Sequence, residues 1–267
     1  MPGTLAAVDP SLAFAELVSR PEDEIDLDRA ALLIAAHARP ALDLGVELAA
    51  IDALADGCEG DTLDDVLAHL FGRLGFRGNA DDYYDPANSY LDRVVATRRG
   101  IPITLSVLTV SVARRRGVDL VGVGMPGHFL VRAADEPVFV DPYGGGQILD
   151  SAGAEALFHT LHGADQPFSP ALLAPVGPRS IVTRMLNNLL AIFGARRDHE
   201  GRLWAARLRA SVPGASLEDR AEVAAALAAA GAFAEAARWL EALSFEAPHP
   251  VAAGYRGAAE RLRSRLN

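Results

Sequence analysis

Residues 100–146 read GIPITLSVLTVSVARRRGVDLVGVGMPGHFLVRAADEPVFVDPYGGG, and their division into one helix and several short strands decides the fold. From 102 to 116 the stretch is apolar on nearly every side. Ile103, Leu105, Val107, Leu108, Val110 and Val112 are interrupted only by the hydroxyls of Thr104, Ser106, Thr109 and Ser111 until an arginine run closes the segment. A helix without a polar face must be enclosed by other elements. Pro102 suits its first turn and Gly117 the position just past its end. Strands are expected at 120–124, 129–133 and 137–140, joined by Met125-Pro126-Gly127 and the acidic turn Ala134-Asp135-Glu136. The triple glycine 144–146 makes a turn, and 147–149 adds a strand. A buried helix on a small antiparallel sheet, in a chain otherwise rich in helical patterns, is an α+β arrangement.

Outward from this core the pattern is helical. Upstream, Leu12, Ala15, Leu17 and Val18 follow Asp9-Pro10, and Ala31, Leu32, Ile34 and Ala35 follow a second acidic break. Further helices are expected over 42–54, 62–74 and 89–97, with Asp61 or Thr62 capping the second of these. Between 75 and 88 the sequence GFRGNADDYYDPAN breaks the pattern, and its paired tyrosines require something to pack against. Downstream, helices are expected over 179–193, 200–210, 216–229, 233–243 and 251–266. Trp204 and Trp239 lie 35 positions apart in similar Ala-rich contexts, near the repeat length of a tetratricopeptide unit. Four prolines between 167 and 178 place the domain connection there.

Composition narrows the function classes. The 267 residues include no lysine, so all 25 basic residues are arginine, and the formal net charge is −10. An acidic chain with pI near 5.1 and no arginine cluster is a poor match for nucleic acid or an anionic membrane surface. The start, MPGTLAAVDPSLAF, carries no basic leader and no long apolar run, so a cytoplasmic location is expected. One cysteine, Cys58, forms no internal disulfide.

The chemistry points to His128 and Asp141. His128 opens an apolar strand after a glycine, and Asp141 ends the next strand, 13 positions on. Antiparallel pairing brings such positions side by side, where the acid fixes the tautomer and orientation of the imidazole. The pair serves either a catalytic site or a purely structural contact. A helix start facing this pair is the layout of a Cys-His-Asp triad, yet no cysteine lies between 100 and 104. Thr104 and Ser106 are the candidate substitutes, each needing His128 as base. Cys58 sits among Asp56, Glu59 and Asp61, which oppose thiolate formation, and is read as a turn cysteine. His159 and His162 have metal-binding spacing without a further ligand. Asp81, Asp82, Asp85 and Asn88 lack the pattern of a calcium loop and are read as turn caps. Arg98 or Arg99 is expected to clamp that acidic loop. The residues call for no cofactor and no metal.

The runs NSYLDRVVATRRGIPITLSVLTVSVARRRGVDLVGVGMPGHFLVRA and VFVDPYGGGQILD resemble the transglutaminase-like domain of the SirB-like family of bacterial proteins, and more distantly papain-type folds. The resemblance is strongest over roughly 70–155 and rests on Arg-Arg-Gly-Ile-Pro-Ile, Pro-Gly-His-Phe-Leu and Asp-Pro-Tyr-Gly-Gly in combination. It implies a helical part at 1–74, a transglutaminase-like core at 75–166, the connection at 167–178 and a tetratricopeptide-like tail at 179–267. It also implies a nucleophilic cysteine at the start of the central helix, which this chain lacks.

Three functions follow as expectations. The first is an interaction module that holds a protein or peptide without thiol chemistry. The second is a hydrolase or acyl transferase using Thr104 or Ser106 with His128 and Asp141. The third is a scaffold with a vestigial cleft, whose helical repeats bind the partner.

Overall fold

The computed structural model describes residues 9–266; the first eight positions, part of the stretch read above for a leader, lie outside the described residues. Residues 20–185 form one compact unit, and the segments on either side of it form a second. The first short helix, α1 (Pro10–Val18), belongs to the second unit.

In the central unit, α2 (Leu27–Ala38) and α3 (Leu44–Asp56) follow their acidic breaks. Asp43 caps α3 by accepting from the backbone N–H of Gly45 and Val46. α4 (Leu63–Leu67) opens with a capping box, in which Thr62 and Asp65 satisfy each other's backbone N–H. Its continuation, Ala68–Arg73, widens into a π-helix, so the single helix expected over 62–74 changes its winding halfway.

The 75–88 stretch then folds around one buried residue. Asn88 donates from Nδ2 to the carbonyls of Asp82 and Tyr83, and accepts from Asn79 Nδ2 at 2.9 Å. On either side, β1 (Arg77–Gly78) and β2 (Arg99–Gly100) pair in parallel, with α5 (Leu91–Thr97) leading into β2. Arg98 turns the chain with φ 58° and donates from Nη1 to the Leu74 carbonyl. Among the described residues neither Arg98 nor Arg99 pairs with an acid of the 81–85 loop, contrary to the expectation of a clamp. The loop is held by backbone instead, because Asn79 N–H donates to Gly100 O and Gly78 N–H to Tyr143 O.

The central helix, α6 (Pro102–Arg115), buries 11 of its 14 residues, so its apolar circumference is matched by neighbours all round. α2 and α3 pack on one side, and the sheet strands β3 (Leu120–Val123) and β4 (Leu130–Ala133) on another. With β5 (Phe139–Asp141), β6 (Gln147–Leu149) and β7 (Pro175–Val176) these strands form a sheet in the order β6-β5-β4-β3-β7, antiparallel throughout. Between β6 and β7 runs α7 (Ser151–His162), capped by Asp150, which packs Ala154 and Phe158 against Val123, Met125 and Leu130.

The Pro-rich stretch 167–178 lies inside the central unit. Leu173 is in its core, and β7 (Pro175–Val176) adds an edge strand beside β3. The change of unit falls within α8 (Pro178–Arg196), at Met185–Leu186. A helix continuous through that point carries no compositional break to mark it.

The second unit stacks α9 (His199–Ser211), α10 (Leu217–Ala229), α11 (Phe233–Ser244) and α12 (His249–Arg263), each on its predecessor, with α1 against α9. Each tryptophan reaches the helix before its own. Trp204 on α9 meets Phe193 of α8, ring centroids 5.3 Å apart, and Trp239 on α11 donates to Arg220 O of α10. Among the described residues no helix is long and apolar enough to cross a membrane.

Candidate functional site

The sheet register brings His128 and Asp141 together. Val131 pairs with Val140, so one step further Asp141 stands opposite Leu130, two residues from His128. Met125-Pro126-Gly127-His128 is a tight turn closed by His128 N–H donating to Met125 O, and Gly127 takes φ 68°, where an L side chain is strained. The turn delivers the imidazole to the end of β5. Nε2 of His128 lies 2.8 Å from Asp141 Oδ1, and both side chains are buried. The same oxygen accepts the Tyr143 backbone N–H at 3.0 Å, so Asp141 is held from two directions. Gly144 packs against the carboxylate, where any side chain would collide with it.

This contact assigns the tautomer. An Nε2 facing a carboxylate oxygen must carry a proton, which leaves Nδ1 as the acceptor of the neutral ring. Among the described residues Nδ1 has no hydrogen-bond partner. A base is thus available at Nδ1, oriented by an acid at Nε2.

No nucleophile meets it. Thr104 is fully buried, and its hydroxyl donates to Asn88 O at 2.7 Å while accepting Ile101 N–H at 3.2 Å. It closes the first turn of α6 and ties that turn to the 75–88 loop. Ser106 is buried as well and donates to Phe129 O at 3.4 Å. Neither hydroxyl bonds to His128, so the structure brings together His128 and Asp141 but leaves Thr104 and Ser106 outside the pair. At the helix start, where thiol enzymes carry cysteine, stand Ile101 and Pro102. Cys58 is buried in the turn after α3, with its thiol against Gly60 O. His162 donates from Nε2 to Pro126 O, and His159 lies against Gly163 O; no group of three His, Cys, Asp or Glu among the described residues is placed to hold a metal ion.

Three residues of the site escaped the sequence reading. Tyr143 sets its ring edge-on to His128 at 5.9 Å, and Tyr83 packs edge-on to Tyr143 at 6.0 Å. Burial raises both phenols above their ordinary value, assisted at Tyr83 by Tyr143 and at Tyr143 by the Asp141 charge. The third is Arg184 of α8. Its Nη2 donates to Met125 O at 2.8 Å and to His128 O at 2.6 Å, gripping both ends of the turn that carries the histidine. The guanidinium also lies over the Phe129 ring. Tyr143 stood beside Asp141 in the motif, and the tyrosine pair of the loop announced a packing partner. Arg184 gave no signal, because 56 residues separate it from the histidine it holds.

An enclosed helix against an antiparallel sheet that joins a histidine to an aspartate is the core of a transglutaminase-like domain. The family model described as the transglutaminase-like superfamily matches residues 34–187, more than half the chain, and the protein belongs to that superfamily. Within it the chain is similar to the UPF0162 protein of Xylella fastidiosa strain Temecula1, 44% identical over 133 residues, 48% of this chain and 47% of that one. It is also similar to a UPF0162 protein of Pseudomonas aeruginosa, 30% identical over 178 residues, 63% of this chain and 65% of the other. These are the SirB-like proteins that the motifs resemble. Mouse F-box only protein 21 shares 33% identity over 144 residues, 50% of this chain but 22% of its own length. The chain spans about half the length of the first of these relatives. No solved structure matches it.

Proposed function

We propose that this protein is a cytoplasmic peptide- or protein-recognition module built on a transglutaminase-like domain, with the His128–Asp141 pair retained for binding rather than for thiol chemistry. The observation that carries this reading is the state of the three positions around the imidazole. Pro102 occupies the helix start, the Thr104 proton goes to Asn88 O, and Ser106 donates to Phe129 O. A base without a nucleophile still recognises: Nδ1 accepts a hydrogen bond, and Tyr83 and Tyr143 supply aromatic edges with free hydroxyls.

The test compares wild type with His128→Ala in two assays. Short acetylated peptides titrated into the labelled protein are expected to shift the His128 and Tyr143 resonances in the wild type. Fluorophosphonate and acyl probes are expected to give no His128-dependent labelling. Labelling that disappears in His128→Ala would overturn the reading in favour of a hydrolase or acyl transferase.

A further inference from the structure

We propose that Arg184 and Tyr83 form an anion subsite beside His128 that takes a carboxylate of the bound segment. The inference rests on the reading of the His128–Asp141 pair as a recognition site.

Arg184 is a half-buried cation without a counter-ion. Of its guanidinium nitrogens, Nη2 alone makes hydrogen bonds, and both go to neutral carbonyls. Among the described residues no carboxylate pairs with it, although the chain carries 35 acidic residues against 25 basic ones. Some partly buried arginines hold acids, Arg115 with Asp28 and Asp52 and Arg202 with Glu222, whereas Arg116 and Arg132, like Arg184, bond only to carbonyls. Burial of the Arg184 charge is penalised, and the ionisable group acting on it is the phenol of Tyr83. A half-buried charge held only by neutral carbonyls and an aromatic face gains by acquiring an anionic partner.

Further donors of the site are unused. Arg184 Nη1 and Nε, the Tyr83 hydroxyl and the Tyr143 hydroxyl make no hydrogen bonds to the protein. The tyrosine rings are in edge contact with each other, and Tyr143 is in edge contact with His128. A planar carboxylate matches the fork of a guanidinium and accepts from phenols as well, whereas a carboxamide brings no charge. Because Nη2 also grips Met125 O and His128 O, an anion on Nη1 pulls on the turn that carries His128. Ligand charge and imidazole position are coupled through one side chain.

The experiment titrates three probes into the full chain and reads the His128 ring and Arg184 Nε–H resonances: acetyl-glutamate amide, acetyl-alanine with a free terminal carboxylate, and neutral acetyl-glutamine amide. At least one carboxylate probe is expected to bind, shifting both resonances, with an affinity that falls as salt is added; which one responds tells a side-chain from a terminal carboxylate. Arg184→Gln is expected to weaken it about tenfold, equivalent to about 1.4 kcal/mol. Tyr83→Phe, which removes only a hydroxyl without a protein partner, is expected to weaken it roughly threefold at an unchanged melting temperature. Equal binding of acetyl-glutamine amide overturns the anion subsite and leaves the recognition site standing. Wild-type affinity in both variants overturns it too, and silence from all three probes overturns the subsite and the recognition reading together.

Discussion

Thr104 donates its hydroxyl proton to the carbonyl oxygen of Asn88 at 2.7 Å, and thereby joins the first turn of the central helix to the loop that carries Tyr83. A single hydroxyl proton cannot serve that bond and a base at His128 at once. Thr104→Val keeps the shape and removes the donor, leaving Asn88 O buried without it. The expected cost is about 1–3 kcal/mol by urea denaturation, against less than 1 kcal/mol for Thr104→Ser. Probe labelling is expected to be the same in both variants as in the wild type; loss of labelling in Thr104→Val alone would restore Thr104 as a nucleophile.

The His128–Asp141 contact predicts an order of stabilities. Asp141→Ala removes the acceptor of both the imidazole and the Tyr143 N–H, whereas Asp141→Asn keeps an oxygen that accepts from both and loses only the charge. About 1–3 kcal/mol is expected for the alanine variant and roughly half of that for asparagine. A cycle with His128→Ala measures the coupling, and additive losses would show that the two side chains do not support each other.

Gly127 is the hinge on which the imidazole depends. At φ 68°, with its missing Cβ 3.0 Å from the His162 ring, alanine is both strained and crowded. Gly127→Ala is expected to cost about 1 kcal/mol or more and to move the His128 resonances. An unchanged His128 spectrum would mean that the turn does not set the ring position.

Arg115 tests burial against exposure in one side chain. It pairs with Asp28, whose side chain is 2% exposed, and with Asp52, which is 60% exposed. Asp28→Ala is expected to destabilise by about 3 kcal/mol, since a buried arginine loses its enclosed partner. Asp52→Ala is expected to cost less than about 1 kcal/mol and to lose even that in high salt. Equal losses would refute the assignment of Asp28 as the internal anchor of the helix layer.

Tyr83 and Tyr143 give the site an alkaline signature. Burial raises both phenols above the ordinary value of 10.0, so the folded state favours their neutral forms. Their contribution to stability is therefore complete below pH 10 and is lost as pH rises through the folded-state values. Two tyrosines are expected to ionise late in a tyrosinate absorbance titration, and Tyr83→Phe is expected to remove one of them. Ordinary titration of all five tyrosines would contradict the burial of the pair.

Much of this was written in local pattern. The all-round apolar run after Pro102 has no stable state except inside a core, and the central helix spans Pro102–Arg115 accordingly. Strand 147–149 matches the observed β6, and the other strands differ by a residue or two at their ends. Turn chemistry at Pro126-Gly127 and at the triple glycine marked where the sheet reverses. Short pairings such as β1 with β2 and β7 with β3 left no trace, because two-residue strands have no periodicity to read. The π turn after α4 was equally silent, being a change in winding rather than in composition.

By itself the sequence determined the enclosed helix, the antiparallel sheet and the absence of a thiol where a thiol enzyme carries one, since each follows from residue type at a fixed spacing. Tertiary structure alone decided the rest of the site. It sent the Thr104 and Ser106 hydroxyls to backbone carbonyls, and it brought Arg184 across 56 residues to grip the His128 turn. Those contacts depend on where whole elements pack. A side chain's partner is chosen by the fold, and spacing along the chain carries that choice only between neighbouring strands.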